Sequence, residues 1–172
     1  MDTTMVEVNG RCNLGCAFCE LKERPALEGA RLETLLAQLK RDREAGAHRL
    51  RIGGGEPTLE PKLTELVQAA KDMGYEEIML ETNGTVASLP NVARDLSEAG
   101  VTDVLWALPS REAERTDRIT RLRGSHQAAL RGARALADAG VRVIARTPLS
   151  TTSIMGLSQM AAWLKESGPD IC

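Results

Sequence analysis

Aromatic side chains are scarce, with one Phe, one Tyr and two Trp in 172 residues. The stacking platforms that hold single-stranded nucleic acid need several such rings, so the composition disfavours that class. An excess of one charge is also missing. There are 22 Lys+Arg against 24 Asp+Glu, for a net charge of -2, which argues against the basic footprint of nucleic-acid binders. No apolar run approaches the ~20 residues of a membrane span, and the opening MDTTMVEVNG has no basic stretch leading into an apolar one. The sequence therefore reads as cytoplasmic, with no membrane partner. Cysteine is limited to four residues, and Cys12, Cys16 and Cys19 crowd together while Cys172 stands alone at position 172. In a reducing compartment such crowding points to metal or redox chemistry rather than a disulfide framework. A chain that is 42% hydrophobic and 27% charged is an ordinary globular mixture, and this length suits one domain. About 70% of the unfolded surface is buried at this size, so no covalent staple is needed and the cysteines are free for chemistry.

Glycines close five helical patterns, at Gly46, Gly74, Gly100, Gly140 and Gly168, with spacings of 28, 26, 40 and 28 residues. A period near 28 accommodates one strand, one helix and two short connections. Apolar stripes support the helices: Leu32, Leu35, Leu36 and Leu39; Leu63, Leu66, Val67 and Ala70; and Leu157, Met160, Ala161 and Leu164. These stripes are read as core. Between them, short apolar or β-branched runs around Met5–Val8, His48–Ile52, Ile78–Thr82, Val104–Leu108 and Val141–Ala145 read as strands. Alternating strand and helix predicts a parallel sheet in an α/β fold. Pro61 is placed at the first turn of the second helix, where a missing N–H costs nothing. The long interval holds SREAERTDRITRLRG, Ser110 to Gly124, expected to be a loop or an added helix whose arginines form a solvated, salt-bridged surface, with a substrate contact as the alternative. After Gly168 the chain has only Pro169 to Cys172, too little for a sixth buried strand of about five residues.

RCNLGCAFCE follows directly on the first strand, so Cys12, Cys16 and Cys19 sit at its C-terminal end, where parallel α/β folds build their sites. Three thiolates spaced C-x3-C-x2-C supply three corners of an iron-sulfur cubane and leave the fourth iron open. A structural zinc site would want four closed ligands, and His48 and His126 are both distant in sequence. A second element, GGGEPTL at Gly53 to Leu59, ends the second strand. There, glycines without Cβ let the backbone approach a ligand closely, and Glu56 offers a carboxylate.

Together, Cys12-x3-Cys16-x-Phe18-Cys19 and the GGEP turn resemble the radical S-adenosylmethionine (SAM) superfamily, across essentially the whole chain. The resemblance implies a partial, open parallel βα barrel of the radical SAM type, with about five of six βα units present in a single core domain over 1–172. It implies a [4Fe-4S] cluster on Cys12, Cys16 and Cys19, and SAM bound by Gly54, Gly55 and Glu56 with Phe18 against the adenine. Thr82 and Asn83 in ETNG either contact the ribose or substrate or simply form a turn. Ser110 matches a ribose-contacting position. Arg146 is the candidate partner of the cofactor carboxylate, its bidentate fork suiting that task, with Arg123 and Arg131 as rivals. The implied chemistry is one-electron cleavage of SAM to a 5'-deoxyadenosyl radical that abstracts hydrogen from a substrate, with a flavodoxin or ferredoxin as electron donor. A peptide or protein substrate is the first expectation and a small-molecule or tRNA substrate the alternative. The competing classes are a non-catalytic iron-sulfur scaffold and a zinc-binding interaction module. The short terminus also predicts either a missing C-terminal segment or a partner chain.

Overall fold

The computed structural model describes residues 2–19, 32–149 and 156–167. Five strands run in chain order: β1 (Thr3–Glu7), β2 (Arg49–Gly53), β3 (Glu77–Thr82), β4 (Asp103–Ala107) and β5 (Arg142–Arg146). Each pairs in parallel with the next, giving the spatial order β1-β2-β3-β4-β5. Sequential order without reversal is that of a βα barrel rather than of a doubly wound sheet. With β1 and β5 at opposite ends of the order, the barrel is open.

Side-chain alternation separates the two faces of the sheet. Val6, Leu50, Ile52, Ile78, Leu80, Val104, Trp106 and Val143 are buried in one apolar cluster with helix residues. The helices are α1 (Leu32–Glu44), α2 (Leu63–Asp72), α3 (Val92–Ala99), α4 (Ala113–Thr120), α5 (Ser125–Asp138) and α6 (Leu157–Ser167). Leu35 and Leu39 of α1, Leu63, Leu66, Val67 and Ala70 of α2, and Ala129, Ala133 and Leu136 of α5 supply the helix side of that core. On the other face Met5, Arg51, Glu81 and Arg146 look away from it. Gly46, Gly74, Gly100 and Gly140 take left-handed backbone just beyond α1, α2, α3 and α5, as the closing glycines predict; Gly168 and the stretch from Pro169 to Cys172 lie outside the described residues.

Two expectations need correction. Pro61 precedes α2, which begins at Leu63, because the short 3-10 turn Pro57–Leu59 occupies the start of the connection. In α6, Leu157 and Ala161 are exposed while Met160 is buried and Trp163 and Leu164 pack against the core; the contact row is offset from the apolar stripe of the sequence. The insertion takes the helical one of its two expected forms, α4. Its Asp117 does not pair with a neighbouring arginine. Its carboxylate accepts from Gly124 N at 2.5 Å, His126 N at 3.0 Å and Ser125 Oγ at 3.1 Å, capping the start of α5 from outside that helix.

Those N–H donors hold the Asp117 carboxyl below its ordinary range. A carboxylate with a lowered folded pKa stabilises above the ordinary Asp range and loses that contribution as pH falls through the folded value. Asp117→Ala is therefore expected to cost about 0.5 to 2 kcal/mol in denaturant unfolding at neutral pH, the range for loss of a helix cap, and the difference from the parent should close in strong acid. His126 works at higher pH. It is buried at the start of α5 beside the Trp163 ring, with centroids 6.2 Å apart. Burial pushes its pKa down, against smaller upward pulls from the Arg111 backbone and Asp117. Neither ring nitrogen makes a hydrogen bond of good geometry. The unfolded chain then takes up a proton that the folded one refuses, so stability should fall as pH drops below about 6.5. In His126→Leu that slope should flatten.

Candidate active site

The two glycine-flanked motifs are stitched together by main chain. Gly55 N donates to the Asn9 carbonyl at 2.8 Å and Glu56 N to the Arg11 carbonyl at 2.6 Å. The Asn9 side chain donates to the Glu56 carbonyl at 3.2 Å and accepts from Arg11 N at 3.0 Å. Such an approach leaves no room for a Cβ. One on Gly54, whose φ is +125°, would sit 2.4 Å from the Asn9 carbonyl oxygen, and one on Gly55 would sit 2.0 Å from that of Arg11. The glycines thus bring the turn against the chain's own residues 9–11, immediately before Cys12.

Glu56 is 1% exposed, and four donors from the protein itself hold its carboxylate. Oε1 accepts from Thr58 N at 3.1 Å, Thr58 Oγ1 at 2.5 Å and Thr82 Oγ1 at 2.7 Å, and Oε2 accepts from Asn83 N at 2.8 Å. A buried carboxylate requires such satisfaction. The result locks the ends of β2 and β3 together. Thr82 also accepts from Gly84 N at 3.0 Å, so its hydroxyl is engaged within the turn.

The cysteine loop is held on its other side by α4. Gly15 N and Ala17 N donate to the carbonyls of Thr120 and Ile119, both at 2.9 Å, using acceptors that the last turn of a helix leaves without partners. Cys12, Cys16 and Cys19 are free thiols. Burial pushes the Cys12 thiol up; Leu14 N–H pulls it down, the negative charges of Glu56 and Cys19 raise it, and the Asn83 amide lowers it.

All three cysteines line one cavity of about 520 Å³, together with Phe18, Gly54, Gly55, Glu56, Glu81, Thr82, Asn83 and Arg146. Of the residues expected at the site, Ser110 stands apart from the lining. Its Oγ accepts from Glu112 N at 3.1 Å and its carbonyl from Thr116 Oγ1 at 2.8 Å, which places it at the entry to α4. Arg123 and Arg131 are exposed and also outside the lining. Arg146 lies in the cavity wall with Nη1 3.0 Å from Glu81 Oε2, and Glu81 also accepts from Arg51. Sequence reasoning missed Glu81, although strand alternation places it on the open face. It also missed Thr58 and Asn13, which carry no chemistry-bearing signature.

Soft thiols suit iron-sulfur clusters, and three of them face one space with no histidine among the described lining residues. Among the described residues no three His, Cys, Asp or Glu side chains converge to hold a single metal ion; a cubane instead spreads its thiolates over separate irons. The donor set fits a three-cysteine cluster. Residues 6–160 match the radical SAM superfamily. The chain belongs to that superfamily.

Members of the radical SAM superfamily use a [4Fe-4S] cluster and SAM. Among its relatives, the GTP 3',8-cyclase of Pelotomaculum thermopropionicum is 34% identical over 159 residues, covering 90% of this chain and 47% of that protein. In structure, native anSMEcpe with bound AdoMet and Kp18Cys peptide superposes with a TM-score of 0.79 at 20% identity, over 95% of this chain and 48% of that one. Streptococcus suis SuiB bound to its precursor peptide SuiA gives 0.74 at 18% identity, over 98% and 38%. At such identities the likeness is one of fold. The chain spans less than half the length of the curated relatives it matches in sequence, 47% of the one named above. No helix among the described residues is long and apolar enough to cross a membrane.

Proposed function

We propose that this chain is the cluster- and SAM-binding core of a radical SAM enzyme. The observation that carries the reading is the convergence of Cys12, Cys16, Cys19 and the Glu56 carboxylate on one cavity. When bound, the cluster would supply one electron for the reductive cleavage of SAM, the source of the radical chemistry that removes hydrogen from a substrate. The protein's part is binding, orientation and exclusion of water. The three thiolates hold iron. Glu56 Oε2, which accepts only Asn83 N among the bonds above, turns its remaining capacity toward the cofactor ammonium. Phe18 offers its ring to the adenine, and Arg146 is the cation nearest to hand for the cofactor carboxylate, in competition with Glu81. The electron comes from an external one-electron donor such as a flavodoxin or ferredoxin.

For the substrate, 34% identity to a GTP 3',8-cyclase supports a small molecule ahead of the peptide expected from the motifs. The peptide reading keeps the support of a fold shared with SuiB in complex with SuiA and with anSMEcpe in complex with the Kp18Cys peptide. Anaerobic incubation of the iron-loaded protein with dithionite and SAM should release 5'-deoxyadenosine; no release from a fully loaded protein would leave only the scaffold reading. Glu56→Gln keeps the shape of the side chain but removes its charge. A charge-assisted hydrogen bond is worth about 1.5 to 3 kcal/mol, so equilibrium binding should show SAM affinity lowered by about one to two decades with iron content unchanged. Parent-like affinity would assign Glu56 to the turn alone.

A further inference from the structure

Asn83, Asn13 and Thr85 form a closed ring of side-chain hydrogen bonds, each donating to the next. Asn83 Nδ2 donates to Asn13 Oδ1 at 2.9 Å, Asn13 Nδ2 to Thr85 Oγ1 at 2.8 Å, and Thr85 Oγ1 to Asn83 Oδ1 at 2.6 Å. Thr85 N donates to the same Asn83 oxygen at 2.9 Å. This fixes the orientation of the Asn83 amide, because the flipped form would set its NH2 against the Thr85 N–H, donor against donor. An amide nitrogen carries two hydrogens. One is used on Asn13, and Nδ2 also lies 3.8 Å from Cys12 Sγ, where the second is available. The backbone of Asn83 is meanwhile tied to Glu56 Oε2. Its side chain is thus fully occupied, oxygen by Thr85 and nitrogen by Asn13 and the sulfur, which leaves it no group for a ribose.

We infer that Asn83 is a positioning residue for the cluster: the ring with Asn13 and Thr85 aims one amide hydrogen at the Cys12 sulfur and so sets the cluster's reduction potential. The inference rests on the proposed cluster on Cys12, Cys16 and Cys19. A hydrogen bond to a ligating sulfur stabilises the reduced, more negative cluster, and such bonds are among the determinants of cluster potential. Asn13 has a distinct part. It lies in the cysteine loop and acts on the sulfur only by holding Asn83.

The test is an EPR-monitored redox titration, with dithionite delivering single electrons through mediators. It compares iron-loaded parent, Asn83→Ser and Asn13→Ala, with iron counted in each. Serine retains an oxygen for Thr85 N but not the reach to sulfur. The equilibrium constant for reduction should fall by about tenfold in Asn83→Ser, which is 59 mV for a one-electron couple. Asn13→Ala should shift it the same way by about threefold, because the amide stays in place without its latch. Iron-loaded variants with the parent potential would overturn the inference and leave the cluster assignment standing. If only Asn13→Ala keeps its iron, its potential alone decides. A parent protein that binds no iron would overturn the cluster assignment itself, and the role of Asn83 with it.

Discussion

Alanine at position 55 should empty the iron site. Its Cβ would fall 2.0 Å from the carbonyl oxygen and 2.5 Å from the carbonyl carbon of Arg11. Both are backbone atoms, which cannot swing aside as a side-chain tip does. The residue displaced adjoins Cys12, and relief of the clash breaks the bonds from Gly55 N to Asn9 and from Glu56 N to Arg11. Overpacking of this kind costs about 1 to 3 kcal/mol, and the loop that must present Cys12 moves with it. Iron counted after anaerobic reconstitution should drop to background in Gly55→Ala, with unfolding at lower denaturant. Gly53→Ala is the internal control. There the new Cβ finds the Met5 methyl at 3.5 Å and Glu81 at 3.7 Å, ordinary contacts, so iron loading should match the parent. Equal loading in both variants would show that the stitched turn does not place the cysteine loop.

The second large effect concerns the thiols. Cys12→Ala, Cys16→Ala and Cys19→Ala should each abolish cluster binding, while Cys172→Ala should retain about four iron and four sulfide per chain, the content of one cubane. The reason is the donor set: three thiols in one cavity with no histidine among the described lining residues, so loss of one leaves two corners. If Cys172→Ala alone emptied the site, the fourth iron would be ligated by protein and closed to SAM.

Much of the fold was legible because the repeated unit carries its own punctuation. A strand buried on one face shows alternation, a helix against it shows apolar residues three and four apart, and glycine marks where the helix ends. Those signals place all five strands of the sheet. They identify a face but not the partner on it. The stripe of α6 therefore included Leu157 and Ala161, which are exposed, and omitted Trp163, which packs on the core. The arginines around α4 suggested ion pairs, but one of the three acids among them, Asp117, caps α5, a bond between residues seven to nine apart that no periodicity reveals.

The site divides in the same way. Cysteine spacing and the GGEP turn are local and were visible, and the cavity joins them as the motifs imply. Long-range partners were not visible. Asn13 and Asn83 are 70 positions apart, and nothing local pairs the site candidate Asn83 with Asn13, which alone reads as an ordinary loop residue. The Asn83-Gly84 turn is formed, with Gly84 at a φ of +76°, and it leaves Asn83 in the cavity wall. Ser110 and Thr58 are reversed in kind: the first, expected at the cofactor, opens α4, and the second, overlooked, holds Glu56.

The most direct test of an open iron facing the Glu56 turn is low-temperature EPR of the dithionite-reduced, iron-loaded protein with and without SAM. Binding of the cofactor to the cluster should change the g values of the reduced signal, and the change should weaken in Glu56→Gln at the same SAM concentration. A reduced [4Fe-4S] signal that is identical with and without saturating SAM would contradict the cavity of Cys12, Cys16, Cys19 and Glu56 as a cluster and SAM site.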